Sequence, residues 1–350
     1  MGMLQRAEKA GRKFQNPVPT AIGGFGLALK LLPQFLTNRA ERVPSLPLGP
    51  FRTDAAVYAT PPASGLRVTW FGHSSMLVEI DGVRVLVDPV WDLRAAPMQW
   101  AGPKRFFAPT LRLEELPRVD AVLLSHDHYD HLGEGSVRQL AKLQPDTRWV
   151  TSIGVGKILQ RFGVSAEQIT ELDWTEAVQI AGPSGAACRI TSLPARHFSG
   201  RGAFNRFETL WASFVLRGAS AEAGRRQSDR PGHAVYFGAD SGWWEGFAEI
   251  GEKHGPFDLT MLEIGAYNEL WKGVHMGPDG AARAFHDIGD AGLLMPIHWG
   301  LFNLALHAWR QPIERLLEVA QAERLKLWAP EPGAPTEVVR GVEVRSDWWL

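Results

Sequence analysis

The sequence predicts an α/β protein in which two β-sheets pack face to face while helices cover their outer faces, an αββα sandwich. Short apolar strands joined by tight turns occupy the early part of the chain, and strands alternate with helices in the later part. Hydrophobic residues make up 45% of the 350 residues and charged residues 21%, which is enough apolar material for a large core. The order of elements and the composition therefore agree on one layered domain.

The strand predictions begin at residue 66 with the alternating segment "LRVTWF". The next two strands, "MLVEI" and "VRVLVD", flank Asp81-Gly82, a dipeptide typical of a two-residue hairpin turn. A short buried strand, "AVLLS", follows at residues 121–125. Apolar runs predict further strands in "RWVTS", "CRITSL", "LWASFVLRG", "HAVYFGAD", "DLTMLEIG" and "AGLLMPI".

Helical spacing of apolar residues predicts the remaining elements. The helical segments are "EGSVRQLAKLQ", "GVGKILQRFG", "WWEGFAEIGEKHG", "GPDGAARAFHDIG" starting near Pro278, and "PIERLLEVAQAERL". The polar insert "ASAEAGRRQSDRPG" between two of the strands is predicted to be an exposed hairpin tip.

The N-terminal residues 1–60 are predicted to form a basic, apolar extension, and residues 61–350 the main domain. Residues 1–42 carry seven basic and two acidic side chains, although the whole chain has a net charge of −1. The apolar run at residues 21–36 is interrupted by Lys30 and Pro33, so it is too short to span a bilayer. Residues 21–36 are predicted either to contact a membrane surface peripherally or to cover the core or a subunit interface.

Charge and cysteine content exclude several classes of protein. The near-neutral charge argues against general nucleic-acid binding. Cys188 is the only cysteine, so a disulfide framework and a cysteine-rich zinc site are both excluded. No signal peptide is evident, which predicts a cytoplasmic protein with at most peripheral membrane contact. The sequence does not decide whether the protein forms a homo-oligomer.

The segment "HDHYDH" at residues 126–131 places four potential metal ligands in six residues, directly after an apolar strand. They are His126, His128, Asp130 and His131. Nitrogen and carboxylate ligands suit zinc, with iron or manganese as alternatives. Because one catalytic zinc needs only three protein ligands, this density predicts two metal ions.

Three further candidate ligands stand where predicted strands end. His197 follows "CRITSLPAR", Asp240 ends "HAVYFGAD", and His298 follows "AGLLMPI". Strand ends at one sheet edge lie close together, which makes these positions suitable for completing the site. The two oxygens of Asp240 could bridge two metal ions.

These motifs resemble the metallo-β-lactamase superfamily, whose signature H-x-H-x-D-H is matched by "HDHYDH". Several blocks, including "LRVTWFGHSSMLVEIDG", "GPKRF", "IGAYNELW" and "IHWGLFNLALH", resemble N-acyl-phosphatidylethanolamine-hydrolysing phospholipase D and its bacterial relatives. The resemblance covers roughly residues 14 to 320 and implies a metallo-β-lactamase-like fold for residues 61–350.

The resemblance also implies how the metal ions are shared. It assigns His126, His128 and His197 to one ion, Asp130, His131 and His298 to the other, and Asp240 as the bridge. Asp130 and Asp240 are then the candidate catalytic residues.

Several other residues are candidates for supporting roles. Asp88 is predicted to orient metal-bound histidines, and His73 to support the site, against simple turn capping for each. His275 is predicted to touch substrate or to pack at a helix start. Asp127 is predicted not to bind metal and to face solvent or the ligands. Lys104 and Arg105 are predicted to meet a phosphate or to be surface residues.

These inferences predict a two-zinc phosphodiesterase of the phospholipase D type, acting on N-acyl-phosphatidylethanolamine or a related glycerophospholipid. A lactone or carboxylic ester hydrolase of the same fold is the first alternative, because the same site can activate water toward a carbonyl carbon. A membrane-associated binding or sensing protein with structural metals is the second. An open coordination position would argue against that second alternative.

Overall fold

The computed structural model describes residues 2–22, 33–34, 37–202, 204–219 and 232–350. Most of the apolar run at 21–36 and of the polar insert at 219–232 lies outside these residues, so neither prediction is tested. No helix within the described ranges is both long and apolar enough to cross a lipid bilayer. The proposed boundary at residue 60 stays a prediction, although Phe14 from the extension is buried in the main core.

The first large sheet is mixed and has seven strands. In spatial order they are β16 (Thr336–Glu337), β3 (Leu66–Gly72), β4 (Ser75–Ile80), β5 (Val83–Val87), β6 (Ala121–Leu124), β7 (Arg148–Ser152) and β8 (Ile169–Leu172). Pairing is parallel from β5 to β8 and antiparallel elsewhere. Ile80 pairs with Val83, so the turn at Asp81-Gly82 has two residues as predicted. Both turn residues have positive φ, 46° and 85°, which Asp-Gly accommodates well.

The second large sheet has six strands. In spatial order they are β14 (Leu293–Ile297), β13 (Leu259–Glu263), β12 (Ala234–Phe237), β11 (Ser213–Ala219), β10 (Ala187–Leu193) and β9 (Ala177–Ala181). The strands β12, β13 and β14 are parallel, and the rest pair antiparallel. Two small ribbons complete the sheets: β1 (Lys9–Ala10) with β2 (Lys13–Phe14), and β15 (Trp328–Ala329) with β17 (Val344–Arg345).

Five α-helices flank the sheets in the described ranges: α1 (Glu134–Leu143), α2 (Gly156–Arg161), α3 (Gly246–His254), α4 (Gly277–Ile288) and α5 (Gln311–Glu323). Helix α4 packs on β13, and α3 and α5 flank it. Short 3₁₀ turns lie at Ala55–Ala59, Leu113–Glu115, Ala166–Gln168 and Pro183–Gly185.

Strand β6 illustrates how the layers of the sandwich pack against each other. Ala121 and Leu123 lie in the cluster between the two sheets, whereas Val122 and Leu124 pack with apolar residues of α1 and α2 on the outer face. Alternate residues of a strand point to opposite faces, so a strand covered on both sides must be apolar throughout. This explains why β6 reads as a continuous apolar run, and the αββα prediction is confirmed.

The predicted elements agree with the structure except at the weak strands. Strand β11 begins three residues later than the apolar run "LWASFVLRG", and β12 ends at Phe237, before the predicted end at Asp240. Seven further strands, β1, β2, β8, β9, β15, β16 and β17, were not predicted. All seven lie at sheet edges or in the two small ribbons, where pairing depends on neighbours more than on local pattern.

We expect Leu123→Ala to lower the free energy of unfolding by about 2–5 kcal/mol, because it removes a fully buried side chain from between the sheets. Leu143→Ala, at a position 41% exposed at the end of α1, should change it by less than about 0.5 kcal/mol. Chemical denaturation followed by circular dichroism measures both. Equal losses for the two variants would contradict the layer assignment.

Candidate metal centre

The candidate ligands follow strands that end at one edge of the two sheets. His126, His128, Asp130 and His131 come after β6, His197 after β10, Asp240 after β12 and His298 after β14. Strands β12 and β14 run parallel to β13, and β10 runs in the same direction because two antiparallel pairings separate it from β12. Carboxyl ends of parallel strands share a sheet edge, so residues far apart in sequence meet there.

One group of four side chains consists of His126, His128, His197 and Asp240. One nitrogen or oxygen atom from each lies within 4.8 Å of those of the other three. His128 Nδ1 lies 2.8 Å from His126 Nε2 and 3.3 Å from His197 Nε2. Asp240 Oδ2 lies 3.5 Å from His197 Nε2 and 3.8 Å from His126 Nε2. Three imidazole nitrogens and one carboxylate oxygen therefore converge on one point.

A second group gathers His73, Asp130, His131 and His298 within the same 4.8 Å limit. Asp130 Oδ2 lies 3.2 Å from His298 Nε2 and 3.5 Å from His131 Nε2. His73 Nε2 is 2.9 Å from the same oxygen, so His73 contacts the ligand candidate Asp130 directly. This contact is of the kind that the supporting role predicted for His73 requires.

Asp240 lies between the two groups. Its Oδ1 is 3.2 Å from His131 Nε2, and its Oδ2 is 3.1 Å from His298 Nε2 as well as near the first group. The structure brings all seven candidate ligands together, with Asp240 as their common neighbour.

The chemistry of these atoms fits metal ions. His126, His131, His197, Asp240 and His298 are each at most 3% exposed. Among the described residues, His131 Nε2 and Asp240 Oδ1 form no hydrogen bond of good geometry despite their burial, although they lie 3.2 Å from each other. Buried polar atoms normally have partners, and a cation bound to these lone pairs would compensate them.

Hydrogen bonds hold the outer nitrogens of the imidazoles. Asp88 accepts a hydrogen bond from His131 Nδ1 at 2.7 Å and two from Ser125. The Ser125 hydroxyl also lies 2.9 Å from His126 Nδ1, and His197 Nδ1 lies 2.9 Å from the carbonyl of Val274. These contacts direct each Nε2 toward the centre, as expected for imidazoles that bind metal.

Burial and neighbouring imidazoles lower the pKa of His126 and of His197 well below the ordinary value. Burial, followed by the charge of His298, lowers the pKa of His73 to about 3. These imidazoles therefore stay neutral, which is the form that coordinates a metal.

The carboxylates raise the pKa of two other imidazoles of the centre. Burial would lower the pKa of His131 and His298, but Asp240 and Asp130 outweigh it, raising the pKa of His298 to about 10 and that of His131 well above its usual range. Burial would likewise raise the pKa of Asp130 and Asp240, yet the neighbouring imidazoles hold both well below the ordinary value. This half of the site therefore favours positive charge.

Four non-glycine residues around the centre have left-handed backbone conformations. Their φ angles are 56° at His73, 38° at Asp88, 50° at Ala239 and 61° at His298. Such conformations are costly for residues with a Cβ and persist where the surrounding structure requires them. The turn at Ala239 explains why β12 ends before Asp240, since the chain must leave the sheet to aim that carboxylate.

A cavity of about 290 Å³ opens onto the centre. His128, Asp130, Asp240, His275 and His298 line its polar side. Its remaining wall is mostly apolar and includes Ile22, Phe198, Trp271, Val274 and Leu304, together with Arg206. The Arg206 guanidinium lies 4.9 Å from the centroid of the Phe198 ring.

Glu263 is a site residue that sequence reasoning missed. It is fully buried at the end of β13, accepts a hydrogen bond from the main-chain N–H of Met276, and lies 2.5 Å from His275 Nδ1. Burial raises the pKa of Glu263 despite the opposing charge of His275. An acidic residue ending an apolar strand was the available signal, as it was for Asp240.

Ser125, Phe198 and Arg206 were also missed, because only their spatial neighbours distinguish them from other residues of the same type.

Asp127 was predicted to face solvent or the ligands, and the solvent alternative is wrong. It is fully buried and accepts hydrogen bonds from the Gly200 N–H at 2.7 Å and the Thr209 hydroxyl at 3.0 Å. Asp127 thereby ties the histidine segment to the chain that follows His197.

Comparison with known proteins gives consistent results. Residues 83–299 match the family model described as the Beta-lactamase superfamily domain. The chain is 44% identical over 289 residues to an uncharacterized protein of Mycobacterium tuberculosis, covering 82% of this chain and 72% of the relative. It is 36% identical over 266 residues to N-acyl-phosphatidylethanolamine-hydrolyzing phospholipase D 1 of Caenorhabditis elegans, covering 74% of this chain and 71% of that protein.

A solved metallo hydrolase of Ignicoccus hospitalis superposes with a TM-score of 0.55 at 22% identity, covering 77% of this chain and 97% of the archaeal one. At that identity the likeness supports the fold alone.

We expect Asp88→Asn to weaken metal binding roughly 10- to 100-fold, because the carboxylate that holds His131 Nδ1 and Ser125 is lost. Competition with a chromogenic chelator measures the affinity. Asp92→Asn is the matched control, since Asp92 accepts hydrogen bonds from Gly135 and Ser136 at the start of α1 instead. Unchanged affinity in a folded Asp88→Asn protein would show that Asp88 does not support the ligands.

Proposed function

This chain belongs to the β-lactamase superfamily as a metal-dependent hydrolase, and from that premise we propose that it is a phosphodiesterase of the phospholipase D type. The proposed substrate is N-acyl-phosphatidylethanolamine or a related glycerophospholipid. The products are then phosphatidic acid and the headgroup alcohol, such as an N-acylethanolamine. The name of the Caenorhabditis elegans relative supports this substrate class.

The observation that carries the proposal is the composition of the cavity. A polar floor of candidate ligands meets an apolar wall containing Ile22, Phe198, Trp271 and Leu304, and Arg206 adds a positive charge. A phosphodiester with long acyl chains combines the same three features: oxygens that bind metal, negative charge and apolar surface. An uncharged lactone would not use Arg206 in this way.

We propose that His126, His128, His197 and Asp240 hold one metal ion, and that Asp130, His131, His298 and Asp240 hold the other. Zinc is the proposed metal because histidine nitrogens and carboxylate oxygens suit it, and iron or manganese would fit the same donors. Bound cations of this kind lower the pKa of water toward neutrality and stabilise negative charge on phosphate oxygens.

The protein residues then position the reactants. Asp130 and Asp240 both line the cavity, so their oxygens can accept hydrogen bonds from the attacking water and orient it. His275 also lines the cavity, and its Nδ1 is held by Glu263, which leaves Nε2 to contact the substrate. In the reaction the water oxygen bonds to phosphorus while the bond between phosphorus and the headgroup oxygen breaks, and the headgroup alcohol leaves with a proton that came from the water.

We expect the purified protein to contain close to two transition-metal ions per chain, and a strong chelator to abolish phosphodiesterase activity. The reason is the arrangement of seven ligand candidates in two groups that share Asp240. Elemental analysis by mass spectrometry measures the content. Full activity with one ion or none would refute the two-metal proposal.

We expect Asp240→Ala and His298→Ala each to lower turnover by several orders of magnitude. Asp240 contacts histidines of both groups, and His298 contacts Asp240. His286→Ala is the control, because the two ring nitrogens of that partly exposed imidazole each lie 3.0 Å from a surface carboxylate, of Asp290 and of Glu323. Steady-state kinetics with a soluble phosphodiester measures turnover. Near-normal turnover in Asp240→Ala with metals retained would exclude a bridging role.

We expect Arg206→Gln to raise KM for an anionic phosphodiester by roughly 10- to 100-fold, the value of a charge-assisted hydrogen bond. Hydrolysis of an uncharged lactone, if any occurs, should be almost unaffected. The exposed Arg161→Gln on α2 is the control for removal of a positive charge. Faster hydrolysis of lactones than of phosphodiesters by the unmodified protein would favour the ester alternative.

A further inference from the structure

A second and larger groove, of about 720 Å³, lies outside the candidate metal centre. Residues 43–47 form one wall, and residues 94 and 102–106 form the other, with Asn303 between them. We call this the cationic groove. It contains the motif "GPKRF", for which the sequence left a phosphate contact and a surface role open.

The groove concentrates positive charge. The residues that line it include three basic side chains, Arg94, Lys104 and Arg105, and no acidic one. The guanidinium of Arg94 donates to the carbonyl of Gly102, and that of Arg105 donates to the carbonyls of Trp91 and Phe107. These hydrogen bonds hold the side chains in place while leaving their charge uncompensated by the bonding partner.

Arg105 is the anchoring charge, and it is not the surface residue that the sequence allowed. It is only 7% exposed yet lines the groove. Burial lowers its pKa to about 10, opposed by the more distant charge of Asp92, so it stays charged at neutral pH. A buried cation whose partners are carbonyl groups is stabilised further when an anion approaches.

Large apolar side chains project beside these charges. Arg94 and Lys104 pair across a hairpin, and a hydrogen bond from the Ala95 N–H to the Pro103 carbonyl closes its stem. The tip exposes Trp100 at 77%, and the opposite wall exposes Leu46 at 76%. Val43, Leu93 and Met98 are exposed at 52%, 47% and 46%.

Single exposed apolar residues are ordinary, but Val43 and Leu46 line the groove itself, and Leu93, Met98 and Trp100 lie in or beside the hairpin that carries its basic residues. Such a concentration is of the kind that marks an interaction surface. Tryptophan beside arginine and lysine suits the boundary between lipid headgroups and acyl chains.

The groove is close to the candidate metal centre. Asn303 lines both the groove and a small cleft that includes His298 and Leu304. His298 and Leu304 also line the cavity over the metal centre. A surface bound at the groove would therefore be separated from the cavity over the candidate ligands by that small cleft alone.

We propose that the cationic groove and the hairpin at residues 94–104 dock on an anionic lipid bilayer. Headgroup phosphates lie against Arg94, Lys104 and Arg105, and Trp100 and Leu46 enter the interface. Docking delivers lipid to the cavity entrance, a role that rests on the proposed function, whereas the binding itself does not. A second copy of the chain is the less suitable occupant, because a symmetric contact would bring like charges together.

The test is sedimentation with vesicles of phosphatidylcholine, with and without phosphatidylglycerol, using the full-length protein. We expect binding only to the anionic vesicles, decreasing as salt increases. Lys104→Glu and the double variant Trp100→Ser/Leu46→Ser should each weaken binding, the first by at least roughly fivefold. The matched controls Lys142→Glu and Leu143→Ser, exposed at the end of α1, should bind normally.

Hydrolysis of a soluble phosphodiester separates this proposal from the proposed function. It should be unchanged in the groove variants, since none of the altered residues lines the metal-centre cavity. Absent vesicle binding, or equal binding by the groove variants and the controls, would overturn the docking proposal even if the enzyme is active. A dimer in sedimentation velocity that Trp100→Ser/Leu46→Ser converts to monomers would overturn it in favour of a second copy.

Discussion

The structure depends on one constraint: several imidazoles and carboxylates are buried together at the end of the sandwich. Within each group their nitrogen and oxygen atoms lie within 4.8 Å of one another. Buried polar atoms without partners are costly, so such a cluster persists only if something compensates it. In the proposed function, metal ions provide that compensation from inside the cluster. From outside, Asp88, Ser125 and the Val274 carbonyl hold the outer nitrogens. Asp88 and Ser125 directly follow buried strands, and Val274 lies in the turn before α4.

The same constraint explains where the backbone is unusual. Asp88, Ala239 and His298 adopt left-handed conformations directly after strands whose side chains are buried on both faces. The rigid strands absorb no adjustment, so the turns that follow them carry the strain of aiming the ligands. Beyond the centre, positive charge recurs at Arg206 and in the cationic groove. A net charge of −1 for the whole chain conceals these local concentrations.

Much of the fold was predictable from the sequence because its central elements carry their own pattern. Continuous apolar runs marked β6 and β13, and the Asp81-Gly82 turn determined a hairpin register that the structure confirms. Strands β8, β9 and β16 were not predictable in this way. They are short edge strands that gain their stability by pairing with a neighbour, so their own residues carry little signal.

The sequence by itself determined which residues could bind metal, because histidines and aspartates concentrate in a six-residue segment and at strand ends. It could not determine what surrounds them. Glu263 beside His275, the Gly200 N–H bound to Asp127, and Arg206 in the cavity wall come from strands and loops distant from the histidine segment. Only the order and direction of the strands decided that these side chains meet, since contact across two sheets leaves no local spacing in the chain.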